Sequence, residues 1–140
     1  MTSPLAIIDT NIVVAGLLSN NAGSPVCEIL DGMLSRRFSY LLSTELLDEY
    51  REVLLREKIR KRHALSEKEI DSLLQQIVMN AIMHEPFTKS SAPDRGDDHL
   101  WQLLADWKES ILVTGDQRLI DNPPEQRIVC NPREFLDGWF

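Results

Sequence analysis

The sequence predicts an α/β fold built on a mainly parallel sheet, and three observations carry that prediction. Short apolar runs recur at 5–8, 38–42 and 110–114. The first is rich in Ile and lacks polar alternation, as expected of a parallel strand covered on both faces. Between the runs lie segments whose apolar residues repeat at helical spacing. Two of the runs lead directly into an acid, Asp9 after Ile8 and Asp116 after Thr114-Gly115. Both acids would stand at the carboxyl edge of the sheet, where open α/β folds bind ligands.

The 140 residues suit one compact domain spanning 1–140. No apolar run approaches the length of a membrane-spanning helix, and the N-terminus lacks a basic region and a small-residue cleavage site. A soluble, cytoplasmic protein with no membrane partner is expected. Cys27 and Cys130 are far apart and lack metal-ligand spacing, so they read as small buried residues, not as a disulfide. The formal net charge of -7 argues against a general nucleic-acid coat protein. It leaves room for a nuclease, because an enzyme that holds divalent metals gathers carboxylates.

The first strand, 5–8, passes through Asp9-Thr10-Asn11 into a helical stretch ending near Leu18, which the turn formers of 20–25 break. Ser24 can cap a second helix, with Pro25 in its first position and Val26, Ile29, Leu30 and Met33 buried. Residues 38–42 form the second strand, and Ser43 can cap a helix over 44–58 with Glu45 in its first turn. On that helix Leu46, Leu47, Tyr50, Val53 and Leu54 make one stripe. At about 100° per residue, Glu49 lies roughly 100° from the stripe's centre, while Glu45, Asp48 and Glu52 lie roughly 140° to 160° away. Glu49 is therefore the acid nearest the buried face.

Residues 56–63 are the strongest basic segment. A solvated helix end or loop is the default reading, and a phosphate-binding patch with Arg60, Lys61 and Arg62 on RNA is the functional one. Ser66 and Glu69 form a capping box for a helix that buries Ile70, Leu73, Leu74, Ile77, Val78 and Ala81. A short strand at 82–85 is stopped by Pro86, and 88–95 is an exposed loop. Gly96, Asp97 and Asp98 then open an amphipathic helix over 99–107. The strand 110–114 leads to Asp116, Pro123-Pro124 turns the chain, 127–130 is an edge strand, and a short helix starts at Asn131.

Asp9, Asp116, Glu49, and Asp97 or Asp98 thus have the chance to meet. Collected in one pocket they would repel one another and carry raised pKa values unless a cation neutralised them, and such oxygen ligands suit magnesium or manganese. A site of this kind fits metal-assisted phosphodiester cleavage. Asn11 or Thr114 could orient an acid or a water. Each acid alone is more often structural, and Asp9 and Asp97 could both be helix caps; that explanation is weaker for all four together. His99 reads as a partly exposed helix histidine in preference to a ligand, since magnesium prefers oxygen. His63 and His84 lack a spacing partner. Trp101, Trp107 and Trp139 read as core or interface residues, and Trp139-Phe140 as an apolar end over the core or an interface. The chain has no Gly-rich phosphate loop, which counts against a nucleotide-binding enzyme.

The segments Ile8-Asp9-Thr10-Asn11, Leu47-Asp48-Glu49-Tyr50-Arg51-Glu52-Val53-Leu54, Asp97-Asp98 and Val113-Thr114-Gly115-Asp116 together resemble the PIN-domain ribonucleases, most of all the toxin branch related to VapC. The resemblance implies a three-layer α/β/α sandwich with a central mainly parallel sheet, an acidic site binding Mg2+ or Mn2+, and hydrolysis of RNA. It implies that Asp9, Glu49, Asp98 and Asp116 are the catalytic, metal-holding acids, with Thr114 as the hydroxyl residue before the fourth. Asp98 is preferred to Asp97 by its distance to Thr114. A cognate antitoxin and a homodimer are the partners it implies. The alternative is a catalytically inactive PIN-fold binding or adaptor module. An aspartyl-phosphate phosphatase is weaker, because Asn11 stands where that class needs a second Asp.

Overall fold

The computed structural model describes residues 4–139, without the side chain of Trp139. The expected role of Trp139-Phe140 as an apolar end therefore lies outside the described residues. The strands are β1 (Leu5–Ile8), β2 (Ser39–Leu42), β3 (Ile82–Met83), β4 (Ser110–Val113) and β5 (Ile128–Cys130). The helices are α1 (Thr10–Leu18), α2 (Pro25–Leu34), α3 (Thr44–Leu54), α4 (Glu57–His63), α5 (Glu67–Asn80), α6 (Asp98–Asp106), α7 (Gln117–Asp121) and α8 (Pro132–Trp139). Among the described residues the five strands form one sheet in the order β3-β2-β1-β4-β5. Every neighbouring pair in it is parallel.

Parallel pairing forces each return of the chain across a face of the sheet, which is why the central strands are largely apolar and buried. Ala6, Ile7 and Ile8 of β1, Tyr40, Leu41 and Leu42 of β2, and Leu112 and Val113 of β4 are fully buried. The helices complete a three-layer α/β/α sandwich, with α1 packed on α2 and α3, α2 on α5 and α8, and α6 on β1 and β4. Their starts follow the expected chemistry. Ser24 accepts from the Cys27 amide, Ser43 from the Leu46 amide, and Ser66 and Glu69 form a reciprocal capping box.

Two local expectations need correction, and one helix was not foreseen. The helix expected over 44–58 ends at Leu54, and the basic residues form α4, a separate helix, after Arg56 takes an extended conformation. The break is held by His63, whose Nε2 donates to the freed Leu54 carbonyl at 2.9 Å while Nδ1 accepts from the Leu65 amide at 2.9 Å. The strand expected at 82–85 is confined to Ile82 and Met83. Beyond it His84 turns inward to Asp106 at 2.7 Å, and the Asp106 carboxylate also accepts from the Phe87 and Thr88 amides, pinning the loop to the end of α6. Helix α7, only five residues long, is too short to show a period in the sequence.

Other expectations hold. β5 is an edge strand, Cys130 is a buried free thiol as expected, whereas the free Cys27 is only half-buried, and Trp101 is a core residue. Among the described residues no helix is long and apolar enough to cross a membrane. The sheet order has one consequence for function. β2 and β3 lie on one side of β1 and β4 and β5 on the other, so the chain reverses direction between β1 and β4. A crevice opens there at the carboxyl ends of the strands.

Candidate active site

Asp9 forms the floor of this crevice. The register pairs Ile8 with Val113, and the Asp9 amide donates to the Val113 carbonyl at 3.0 Å, so Asp9 and Thr114 leave adjacent strands side by side. The Thr114 hydroxyl donates to Asp9 Oδ2 at 2.7 Å and accepts from the Asp116 amide at 3.0 Å. Asn11 donates to Asp9 Oδ2 at 3.2 Å and accepts from the Gly115 amide at 3.0 Å. Asp9 Oδ1 accepts from the Thr10 amide at 2.8 Å, so Asp9 also caps α1. Only 5% of Asp9 is exposed. Burial raises its pKa, with the Glu49 charge adding to the shift, and outweighs the lowering by Thr114 and the Thr10 amide.

Glu49 comes from α3, on the flank predicted by its helical angle. Its neighbour Tyr50 is fully buried and donates its phenol to the Ile8 carbonyl, one residue before Asp9. That anchor fixes α3 over the end of β1. Thr10 donates its hydroxyl to Glu49 Oε1, and the His99 ring brings Nε2 to 3.3 Å from Glu49 Oε2. The nearby His99 ring lowers the Glu49 pKa, against the effect of partial burial, and the Thr10 hydroxyl adds to the lowering. His99 is 3% exposed, not the partly exposed helix residue expected from the sequence. It is buried along with Leu100, Leu103 and Leu104, with its ring turned to Glu45 and Glu49 of α3.

The two candidates for the third acid point different ways. Asp98 uses Oδ1 to accept from the Ala92 amide at 2.7 Å, which ties the preceding loop to α6. Asp97 makes no capping hydrogen bond to the helix it precedes, and its side chain lines the crevice with Asp9, Glu49 and Asp116. Its pKa is pushed up to about 6 by burial first, then by the charges of Asp9, Asp94, Glu49 and Asp116. The structure thus brings Asp9, Glu49, Asp97 and Asp116 to one cavity and directs Asp98 to the loop. Asp116 binds Arg118 through Nη2 at 3.0 Å. That guanidinium is the main reason the Asp116 carboxyl lies below its usual range.

The cavity measures about 850 Å³, and its rim carries Arg56, Arg62 and Arg118 above the acids. Arg56, the extended residue that precedes α4, and Ile59 and Arg62 within α4 all line the cavity. Of the predicted phosphate-binding residues only Arg62 is there. Arg60 and Lys61 line a second cavity with Leu55, Ala64 and Glu69, and Lys61 pairs with Glu57 at 3.4 Å. Arg56 and Arg118 were not singled out from the sequence. The threefold spacing of Arg56, Ile59 and Arg62 along the basic run could have pointed to Arg56, whereas Arg118 follows only from the fold.

Chemically, the floor offers oxygen donors alone, the set preferred by a hard divalent cation. Among the described residues no group of three or more acids, histidines and cysteines is drawn in closely enough to hold an ion unaided. The repulsion on Asp97 has a measurable consequence. A carboxyl that holds its proton more tightly when folded gives stability that is full below its unfolded pKa and is lost as the pH rises through about 6. In metal-free protein, Asp97→Asn should therefore raise the melting temperature relative to wild type at pH 7.5 and change it little at pH 4. Thermal melts at both values check this, and a lower midpoint for the variant at pH 7.5 would count against a repelled acid.

Comparison with known proteins agrees with this architecture. The sequence profile of the PIN domain matches residues 6–118, which include Asp9, Glu49, Asp97 and Asp116. The fold is similar to a chain in the crystal structure of VapBC2 from Rickettsia felis bound to a DNA fragment from its promoter. That likeness has a TM-score of 0.59 and 15% identity, and covers 91% of this chain and 98% of the other. It is also similar to the PIN domain of RRP44 from T. brucei, with a TM-score of 0.51 and 16% identity over 98% of this chain and 81% of the other. No curated protein matches the sequence. Since the profile runs from β1 to the first turn of α7, the chain belongs to the PIN-domain family.

Proposed function

We propose that this chain is a divalent-metal-dependent endoribonuclease acting as the toxin of a toxin–antitoxin pair. One observation carries the reading: a single cavity with a carboxylate floor of Asp9, Glu49, Asp97 and Asp116 and a guanidinium rim of Arg56, Arg62 and Arg118. That polarity suits a phosphodiester, which needs a cation beside the reacting phosphate and positive charge on the flanking ones. PIN-family membership supports a nuclease. The similarity to a VapBC2 complex supports a cognate antitoxin as partner.

In this reading Asp9, Glu49, Asp97 and Asp116 hold the cation, Mg2+ or Mn2+, and Asp97 takes the place that the sequence assigned to Asp98. When bound, the ion supplies Lewis-acid activation and neutralises developing charge at the phosphate. The protein's own part is positioning. Thr114 and Asn11 fix the Asp9 carboxylate against rotation, so its orientation is set before substrate arrives. Arg56 and Arg62 bind phosphates flanking the cut. The apolar side chains of Val14, Leu18, Val53 and Ile59 that line the same cavity give an unpaired base a surface to lie against, which favours single-stranded RNA.

Purified protein freed of any partner should cleave a mixed labelled RNA pool with manganese or magnesium and stop when chelator is added. Asp9→Asn should remain folded and inactive. A folded, partner-free wild type with no cleavage in either metal would replace this reading with the inactive binding module. The rim can be tested separately. Replacing Arg56 and Arg62 with Gln should weaken RNA binding and reduce the slope of log affinity against log salt by about 0.7 for each lost phosphate contact. The same change at Arg60 and Lys61 should leave that slope unaltered, and a larger loss there would place RNA on the other face of α4.

A further inference from the structure

His99 is the buried polar group that the reading above leaves unused. It sits in the first turn of α6, directly after the two candidate acids, and is 3% exposed. Neither ring nitrogen completes a well-formed hydrogen bond. A buried imidazole in that condition costs stability unless a partner is within reach. The ring is aimed at one. Nε2 lies 3.3 Å from Glu49 Oε2 and 3.9 Å from Glu45 Oε2, and Glu45 is a largely exposed side chain, whereas Glu49 is half-buried at the cavity.

We infer that His99 is a positioning residue for Glu49: its Nε2–H, donated to Oε2, clamps the carboxylate from the side opposite Thr10 and fixes it toward the cation position. Two features support this. The Glu49 oxygens are divided between donors from two different elements, Thr10 of α1 on Oε1 and His99 of α6 on Oε2. A carboxylate held at both oxygens cannot rotate, so its remaining lone pairs keep a fixed direction into the cavity. Contacts of this kind are often long and imperfectly aligned in the empty enzyme and tighten when the ligand binds. Groups that orient a metal-binding carboxylate commonly change affinity or activity by about 10- to 100-fold when removed.

The inference rests on the proposed metal-dependent nuclease, and its test separates the two. Mn2+ binding is measured by calorimetry, and kcat and KM are measured on RNA, for wild type, Asp9→Asn, His99→Leu and His99→Gln. The glutamine variant keeps an N–H donor near the same place. His99→Leu should bind Mn2+ about 10- to 100-fold more weakly and lower kcat with little change in KM, while His99→Gln recovers most of both. A folded His99→Leu with wild-type Mn2+ affinity and kcat overturns the positioning role and leaves the nuclease reading standing, provided Asp9→Asn has lost both. A wild type that neither binds Mn2+ nor cleaves RNA overturns the nuclease reading and the inference with it. Should His99→Leu fail to fold, His99→Gln and Glu49→Gln, singly and together, decide the matter through urea unfolding without metal. Additive effects refute the contact, and a coupling of fivefold or more in the unfolding constant supports it.

Discussion

The hydrogen bond from Thr114 to Asp9 is the constraint on which the site depends. It exists because β1 and β4 are adjacent, parallel and in a register that pairs Ile8 with Val113. Parallel strands present their carboxyl ends to the same side, so two residues more than a hundred positions apart emerge next to each other. A slip of one residue would turn every side chain of β1 to the opposite face and remove Asp9 from the crevice. The buried register of Ala6, Ile7 and Ile8 opposes such a slip, since each is fully enclosed on its own face. The site's geometry is thus stabilised mainly by apolar burial remote from the chemistry.

From that origin the acids are supplied with positive or donor groups unequally. Glu49 has Thr10 and His99, and Asp116 has the Arg118 guanidinium. Asp9 has Thr114, Asn11 and the Thr10 amide. Asp97 has its burial and the repulsion of four other carboxylates, which is why its pKa alone among these acids is pushed up to about 6. Burial and the surrounding carboxylates both disfavour the charged form of Asp97, and a nearby cation would oppose both effects. Arg118 spans the rim, 3.8 Å from Asp94 as well as bonded to Asp116, so it belongs to the same charge balance.

Much of this was legible in the sequence because it followed from local rules. The apolar run into Asp9, the serine caps and the helical angle of Glu49 each depend on a few neighbouring residues, and each reappears in the structure. What failed to show depended on tertiary contact. The helix was expected to run on to residue 58 because nothing local announces a break at Arg56; the joint is made by His63 reaching back to Leu54. His99 was misplaced because a histidine in the first turn of an amphipathic helix is ordinarily solvated, and only the approach of α3 encloses it. The choice between Asp97 and Asp98 was open to periodicity, and it turns on the Ala92 amide, which a loop of unknown path could not predict. The family-like spacing favoured Asp98; the side-chain directions favour Asp97.

That choice provides the sharpest test of the central claim, that one crevice gathers the acids into a cation site. Equilibrium Mn2+ binding should be followed by electron paramagnetic resonance, which counts the free ion directly, for wild type, Asp97→Asn and Asp98→Asn. The account predicts a single site whose affinity falls at least tenfold in Asp97→Asn and stays close to wild type in Asp98→Asn, where the amide oxygen can still accept from Ala92. Loss of binding in Asp98→Asn with Asp97→Asn unaffected would contradict it.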